Sequence, residues 1–283
     1  MYTHNLDAVI FSVGPLAARW YGLMYIIGIG GGWILGRYRA KKSLQTHPAN
    51  PWKVEDVDNL IVYSALGMVL GARLGYALFY NFSEYLAQPW AIFKIWEGGM
   101  SFHGGMIGLI LAVFYFARSN RRTFFQVGDF IAPLVPLGLF AGRIGNFING
   151  ELWGSPTNAA WGVIFPSAGA LPRHPTQLYE AGLEGLLLGI ILWVYSAKQR
   201  AKGRVCGLFL MGYGCFRFMI EFVRLPDPQL GYLAFGWLTM GQILCIPMIL
   251  LGAWWLFRPI EEKETRAFSK KTKRIKLSSG KKA

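Results

Sequence analysis

Seven predominantly apolar windows recur along the chain, at 17–36, 58–80, 99–117, 127–148, 177–196, 206–223 and 236–257. Each approaches the roughly 20 residues that an α-helix needs to cross the hydrocarbon of a bilayer. In lipid the backbone must satisfy its own hydrogen bonds, so windows of this length are read as helices. Composition points the same way. The chain is 53 % hydrophobic and 16 % charged, whereas an ordinary soluble domain carries about 25 % charged residues. The sequence predicts an all-α integral membrane protein with seven transmembrane helices. Its transmembrane domain covers 1–259, with a short outer-face segment at 151–176. The polar, basic stretch 260–283 is expected to be a disordered tail lying against anionic lipid.

The net charge of +14 invites a nucleic-acid reading, but its distribution argues for a membrane. Basic residues crowd the loops after the first, third and fifth windows: Arg37, Arg39, Lys41, Lys42 and Lys53, then Arg118, Arg121 and Arg122, then Lys198, Arg200, Lys202 and Arg204. The tail from Arg258 adds the largest group. Cytoplasmic loops collect Lys and Arg, so the N-terminus is placed outside, the C-terminus in the cytoplasm, and no nucleic-acid partner is expected. An odd number of spans agrees. Met1 to Pro15 has neither a basic n-region nor a cleavage pattern, so it does not read as a removable signal peptide. Trp20, Tyr80, Trp96, Trp153 and Trp237 fit interfacial belts. Gly67, Gly71 and Gly75 read as a face for close helix packing.

Against this apolar background, Gly142 to Gly154 stands out: G-R-I-G-N-F-I-N-G-E-L-W-G. It closes an apolar run yet carries Arg143, Asn146, Asn149 and Glu151. An Arg near the bilayer centre costs about 2.5–3.5 kcal/mol on insertion scales, so such groups usually face a polar cavity. A structural Arg143–Glu151 pair is the plainer alternative. With the orientation set, polar groups from five helices fall at one depth, the outer half. They are Tyr21 in the first, Ser101 and His103 in the third, and Arg143, Asn146 and Glu151 in and after the fourth. His174, Gln177, Tyr179 and Glu180 open the fifth, and Tyr213, Arg217 and Glu221 follow at i, i+4, i+8 on the sixth. Glu184 reads as a packing polar group. Arg73, inside the second window, has three open readings: the same cavity, a pair with Asp129, or snorkelling.

Two arginines in an outer cavity suit an anionic head group, because guanidinium recognises phosphate through paired hydrogen bonds. No nucleophile elbow and no zinc-ligand motif is present. Cys206, Cys215 and Cys245 lack ligand or paired spacing, and His4, His47, His103 and His174 are dispersed. No metal and no cofactor is expected. A phosphate clamp with one candidate base and no nucleophile points to a nucleophile brought by a second substrate. The rival class is a non-enzymatic transporter or flippase of an anionic phospholipid. It needs a polar path across the membrane, and the polar groups stop at the outer half.

The stretch G-R-I-G-N-F-I-N-G-E-L-W-G resembles the signature of the bacterial phosphatidylglycerol–prolipoprotein diacylglyceryl transferase family. W-Y-G-L-M-Y (20–25), G-G-M-S-F-H-G-G (98–105), L-P-R-H-P-T-Q-L-Y-E (171–180) and G-Y-G-C-F-R-F-M-I-E-F-V-R (212–224) match further blocks in order. The resemblance implies a multi-pass enzyme of the bacterial plasma membrane (the inner membrane of a Gram-negative cell), with its active site toward the outer face. It implies two substrates, the membrane lipid phosphatidylglycerol and a prolipoprotein signal peptide bearing a lipobox cysteine. The substrate thiol then supplies the missing nucleophile. His103, Arg143 and Arg217 are the expected catalytic residues, and Tyr21, Asn146, Glu151, Gly154, Tyr213 and Glu221 the substrate-binding ones. Glu151 and Glu221 are expected to hold the arginines, and Gly154 to leave room for substrate backbone. The outer segment between Glu151 and Gln177 is short, and the basic tail lies outside the resemblance.

Overall fold

The structure, a computed structural model, describes residues 2–14, 16–46, 51–94, 98–226 and 231–259. The expectations for the tail 260–283, for Trp96 and for His47 fall outside these residues. Helices occupy all seven windows: α1 (Trp20–Thr46), α2 (Val54–Phe79), α4 (Phe102–Ser119), α5 (Phe124–Ile131) with α6 (Val135–Ile148), α7 (Thr176–Glu180) with α8 (Leu188–Ser196), α9 (Arg204–Ile220) and α10 (Met240–Phe257). The short helix α3 (Phe82–Ala87) lies between α2 and α4. Among the described residues, three helices are long and apolar enough to cross a membrane: α2, the continuous Thr176–Ser196, and α10. The bent pair α5–α6 makes a fourth if counted as one span. Glycines dilute the apolarity of α1, and α9 has only 17 residues.

The chain is not all-α. A hairpin of β2 (Val9–Val13) and β3 (Leu16–Arg19) precedes α1. The strand β1 (Tyr2–Thr3) pairs parallel with β4 (Val163–Ile164), which pairs antiparallel with β5 (Pro172–Arg173). These strands are two to five residues long and, apart from the end of β3, lie outside the apolar windows, where main-chain groups left over from helices still need partners. The β1–β4 pairing ties the N-terminus to the segment after α6.

Two windows depart from regular helix. The fourth breaks over 132–134 with a bend of 49° between α5 and α6. Pro133 and Pro136 cause it, since proline lacks an N–H and clashes with the preceding turn. The fifth contains a π-helical segment, Ala181–Leu187, between α7 and α8. Such wide turns frequently mark functional sites.

Side-chain placement is that of a protein solvated by lipid. Ile26 and Ile34 on α1, Leu70 on α2, Leu111 on α4, Val194 on α8 and Leu250 on α10 are all exposed. In water such a surface would drive association. With lipid outside, helices associate through close packing rather than apolar burial. The α2–α4 contact shows how. A Cβ at Gly71 would lie 2.4 Å from the Gly104 carbonyl oxygen, and one at Gly75 would lie 2.7 Å from the Gly104 Cα. The Gly67–Gly71–Gly75 face is thus a packing seam, as its spacing predicts.

Of the three readings of Arg73, the Asp129 pair is wrong. Arg73 is buried and bonds main-chain carbonyls between Ala91 and Gly99. Asp129 instead accepts the Gly203 and Cys206 N–H groups at 2.6 and 2.8 Å, capping the start of α9. A helix N-terminus offers unpaired N–H groups and a partial positive charge, so that carboxylate is already satisfied.

Candidate active site

Three elements deliver charge to one place. α6 carries Arg143, α7 and the π-helical segment carry Glu180 and Glu184, and α9 with the turn after it carries Arg217, Glu221 and Arg224. Glu180 is the hub. Its Oε1 accepts from Arg217 Nη1 at 2.5 Å and from Arg224 Nη1 at 3.0 Å, while its Oε2 lies 2.8 Å from Arg143 Nε. That last contact is an ion pair without hydrogen-bond alignment. Glu184 Oε2 is 3.8 Å from Arg143 Nη2. Glu221 accepts from Arg217 Nη2 at 2.5 Å and from Thr239 Oγ1 at 2.9 Å, and lies 3.7 Å from Arg224 Nε.

The layering matters more than the pairing. The side chains of Glu180 and Glu184 are 0 % exposed and that of Glu221 is 5 % exposed, against 20 % for Arg143 and 17 % for Arg217 and Arg224. Carboxylates form the floor and guanidinium groups the accessible layer. Arg143 donates no aligned hydrogen bond among the described residues, its contacts being the ion pairs to Glu180 and Glu184. A cleft of about 110 Å³ beside Arg217 and Arg224 is lined also by Glu221, Thr239 and Gly241.

The turn after α6 is built around Glu151. Its Oε1 accepts from Asn146 Nδ2 at 2.8 Å and from Asn149 Nδ2 at 3.2 Å. Its main-chain oxygen accepts from Gln177 Nε2 at 2.5 Å, and the Leu152 oxygen accepts from Thr176 Oγ1 at 2.9 Å. Gly154 then donates its N–H to the His174 oxygen at 2.9 Å and forms a bridge with Arg224. This turn therefore locks α6, α7 and the end of α9 in register. Two expectations change. Glu151 does not hold Arg143; it holds Asn146 and Asn149, and Glu180 and Glu184 take the arginine. The space beside Gly154 is filled by the chain itself: a Cβ there would lie 2.5 Å from the Val223 oxygen and 2.9 Å from the His174 Cβ.

The remaining predicted residues divide. A Cβ on Gly145 would lie 2.9 Å from Tyr21 Cδ2, so the Tyr21 ring covers α6 between Arg143 and Asn146. Tyr213 lies one turn before Arg217 on α9, against the core of Ala132, Leu188, Leu192 and Val205. Arg217 and Glu221 do pair, but each also reaches Glu180 or Thr239. His103 is exposed in the first turn of α4, a helix that packs chiefly on α2 and α5. Among the described residues, the ion pairs centred on Glu180 do not include it.

A profile of the family described as prolipoprotein diacylglyceryl transferase matches residues 8–258. The chain belongs to this family. Among curated relatives named phosphatidylglycerol–prolipoprotein diacylglyceryl transferase, that of Oleidesulfovibrio alaskensis is 61 % identical over 246 residues, covering 87 % of this chain and 90 % of that protein. The relative from Legionella pneumophila (strain Paris) is 56 % identical over 250 residues, 88 % of this chain and 96 % of that protein. That from Nitratidesulfovibrio vulgaris (strain DP4) is 56 % identical over 263 residues, covering 93 % and 98 %. Membership of the prolipoprotein diacylglyceryl transferase family makes the chain a membrane enzyme rather than a passive lipid carrier.

Within this family member, sequence reasoning passed over Glu180, Glu184 and Arg224 as site residues. A signal was present. Glu180 and Glu184 are two acids at i, i+4 inside an apolar window, and buried carboxylates need cations.

Proposed function

We propose that this chain transfers the sn-1,2-diacylglyceryl group of phosphatidylglycerol to the lipobox cysteine of a prolipoprotein. A thioether forms between the cysteine sulfur and the glyceryl carbon, the carbon–oxygen bond to phosphate breaks, and glycerol 1-phosphate leaves. The observation that carries this reading is the pair Arg143 and Arg217, accessible and backed from below by the fully buried Glu180. Held guanidinium groups suit a phosphodiester in the ground state and the extra charge on the departing phosphate.

In this mechanism the thiol must ionise. Its unperturbed pKa is about 8.5, so at neutral pH a base or a positive field is required. His103 is the base, entering from α4, and Arg143 and Arg217 hold the phosphate. Tyr21 and Tyr213 donate to glycerol or phosphate oxygens. Asn146, fixed by Glu151, orients the head group, and Glu221 holds Arg217 in place. Gly154 acts through the close strand contact that sets Arg224. No metal or cofactor takes part.

The proposed topology has seven spans over 1–259, the N-terminus outside and the C-terminal tail 260–283 in the cytoplasm. The site then opens to the outer face of the bacterial plasma membrane, the inner membrane if the cell is Gram-negative. Residues 151–176 lie on that face, where phosphatidylglycerol and a translocated signal peptide meet.

The test incubates membranes containing the protein with phosphatidylglycerol and a lipobox peptide. The expected result is a peptide mass gain equal to one diacylglyceryl group, with glycerol 1-phosphate released. A gain that survives cysteine-to-serine replacement in the peptide overturns the thioether. Movement of intact lipid between leaflets without that release supports a flippase instead. Arg143→Ala and Arg217→Ala should each abolish turnover while folded protein remains in the membrane.

A further inference from the structure

Arg73 is 5 % exposed and belongs to neither the ion-pair network nor the reaction just described. A guanidinium has five N–H donors in a rigid fork, and all five are used on main-chain carbonyls. Nε donates to Ile92 at 2.9 Å, Nη1 to Gly98 and to Gly99 (3.1 Å), and Nη2 to Ala91 at 2.6 Å and Lys94 at 3.0 Å. Its charge also sits 5.3 Å from the Tyr85 ring centroid, over α3. One side chain thus holds both Ala91–Lys94, after α3, and the segment Gly98–Gly99 that leads into α4.

That segment ends at the predicted base. Gly98 and Gly99 have φ of +85° and +76°, and a Cβ on Gly99 would lie 3.0 Å from Arg73 Nη1 and 2.5 Å from Tyr76 Cε1. Ser101 then donates its N–H to the Ala72 oxygen at 2.9 Å, beside Arg73, and caps α4 by accepting from Gly104 N at 3.2 Å. Gly104 is locked in the glycine seam with Gly71 and Gly75. His103 lies between Ser101 and Gly104, so its backbone is held on both sides, one of them through carbonyls gathered by Arg73.

We propose that Arg73 is the positioning residue for His103: its five carbonyl bonds hold residues 91–94 and 98–99 so that α4 begins where the imidazole meets the substrate thiol. A lysine cannot replace it, having three donors on a single nitrogen for carbonyls spread over nine positions. The inference rests on reading His103 as the base.

The test uses the full-length enzyme in membranes or detergent, with Arg73→Lys, Gly99→Ala and His103→Gln, singly and in pairs. Arg73→Lys and Gly99→Ala should each lower kcat by about tenfold to a hundredfold, the scale of a 1 Å misplacement. KM for phosphatidylglycerol should stay unchanged, because the arginines that hold phosphate are untouched. In the His103→Gln background neither substitution should lower kcat further. Amide exchange over 98–105 should quicken in both variants, while exchange in α2 stays slow. Equal fractional losses with and without His103, a rise in KM alone, or unchanged exchange over 98–105 overturns the proposal. So does failure of both milder variants to accumulate, since Arg73 would then serve folding. Full turnover of His103→Gln is a separate outcome: it removes the base reading, and with it the link to His103, whatever the exchange data show of the loop.

Discussion

Glu180→Gln is the sharpest perturbation of the site. Three guanidinium groups face three carboxylates, and Glu180 touches all three cations from a side chain that is 0 % exposed. The substitution conserves shape but leaves one net positive charge in a desolvated place, and its new amide N–H groups confront three donors. A hydrogen bond to a charged group contributes about 1.5–3 kcal/mol, and orphaning a buried pair costs about 3–5 kcal/mol. If about 3 kcal/mol of that falls on the transition state, turnover drops roughly a hundredfold. The uncompensated charge also favours an anion. The variant should therefore show lower kcat with an unchanged or lower KM for phosphatidylglycerol, and a reduced thermal midpoint that this lipid partly restores. Steady-state kinetics with a lipobox peptide and melting in detergent, with and without the lipid, read these quantities. Glu221→Gln should do less, because it leaves the Arg143–Glu180 contact intact. Wild-type kcat and midpoint in Glu180→Gln, or a larger loss in Glu221→Gln, would refute the hub.

Two other outcomes follow from the geometry. Gly154→Ala places a methyl 2.5 Å from the Val223 oxygen and 2.7 Å from Thr176 Cγ2; overpacking of this kind costs about 1–3 kcal/mol, so the thermal midpoint and turnover should both fall, and an unchanged midpoint would mean that the strand contact is slack. Burial holds the His174 imidazole below its ordinary pKa. The neutral ring is then favoured in the folded outer segment, a contribution complete above about pH 6.5 and fading as pH falls below it. Proteolysis within 151–176 should accelerate between pH 7 and pH 5, and His174→Gln should flatten that dependence.

The helical windows were legible because the bilayer is a demanding solvent: length and apolarity suffice to mark a helix. The breaks were half legible. Pro133 and Pro136 announce the bend between α5 and α6, but no residue in Ala181–Leu187 announces a π-helical turn. The strands were missed because β1, β4 and β5 are two residues each, too short for an alternating pattern, and β1 finds its partner only at the far-off Val163 and Ile164. In the site, Arg143 and Arg217 stood out as ions in apolar helices. Their partners did not, since Arg217 and Arg224 lie 37 and 44 positions from Glu180.

By itself the sequence determined the lipid solvent, the helices and the family. These depend on composition, on charge along the chain and on motifs read in order. Only the tertiary structure decided which charge faces which. It moved Glu151 from Arg143 to Asn146, made Glu180 the common floor of three arginines, and showed Arg73 gripping a loop. An ion pair is set by distance in space, and in a bundle whose helices meet through glycine seams that distance follows from packing rather than from spacing along the chain.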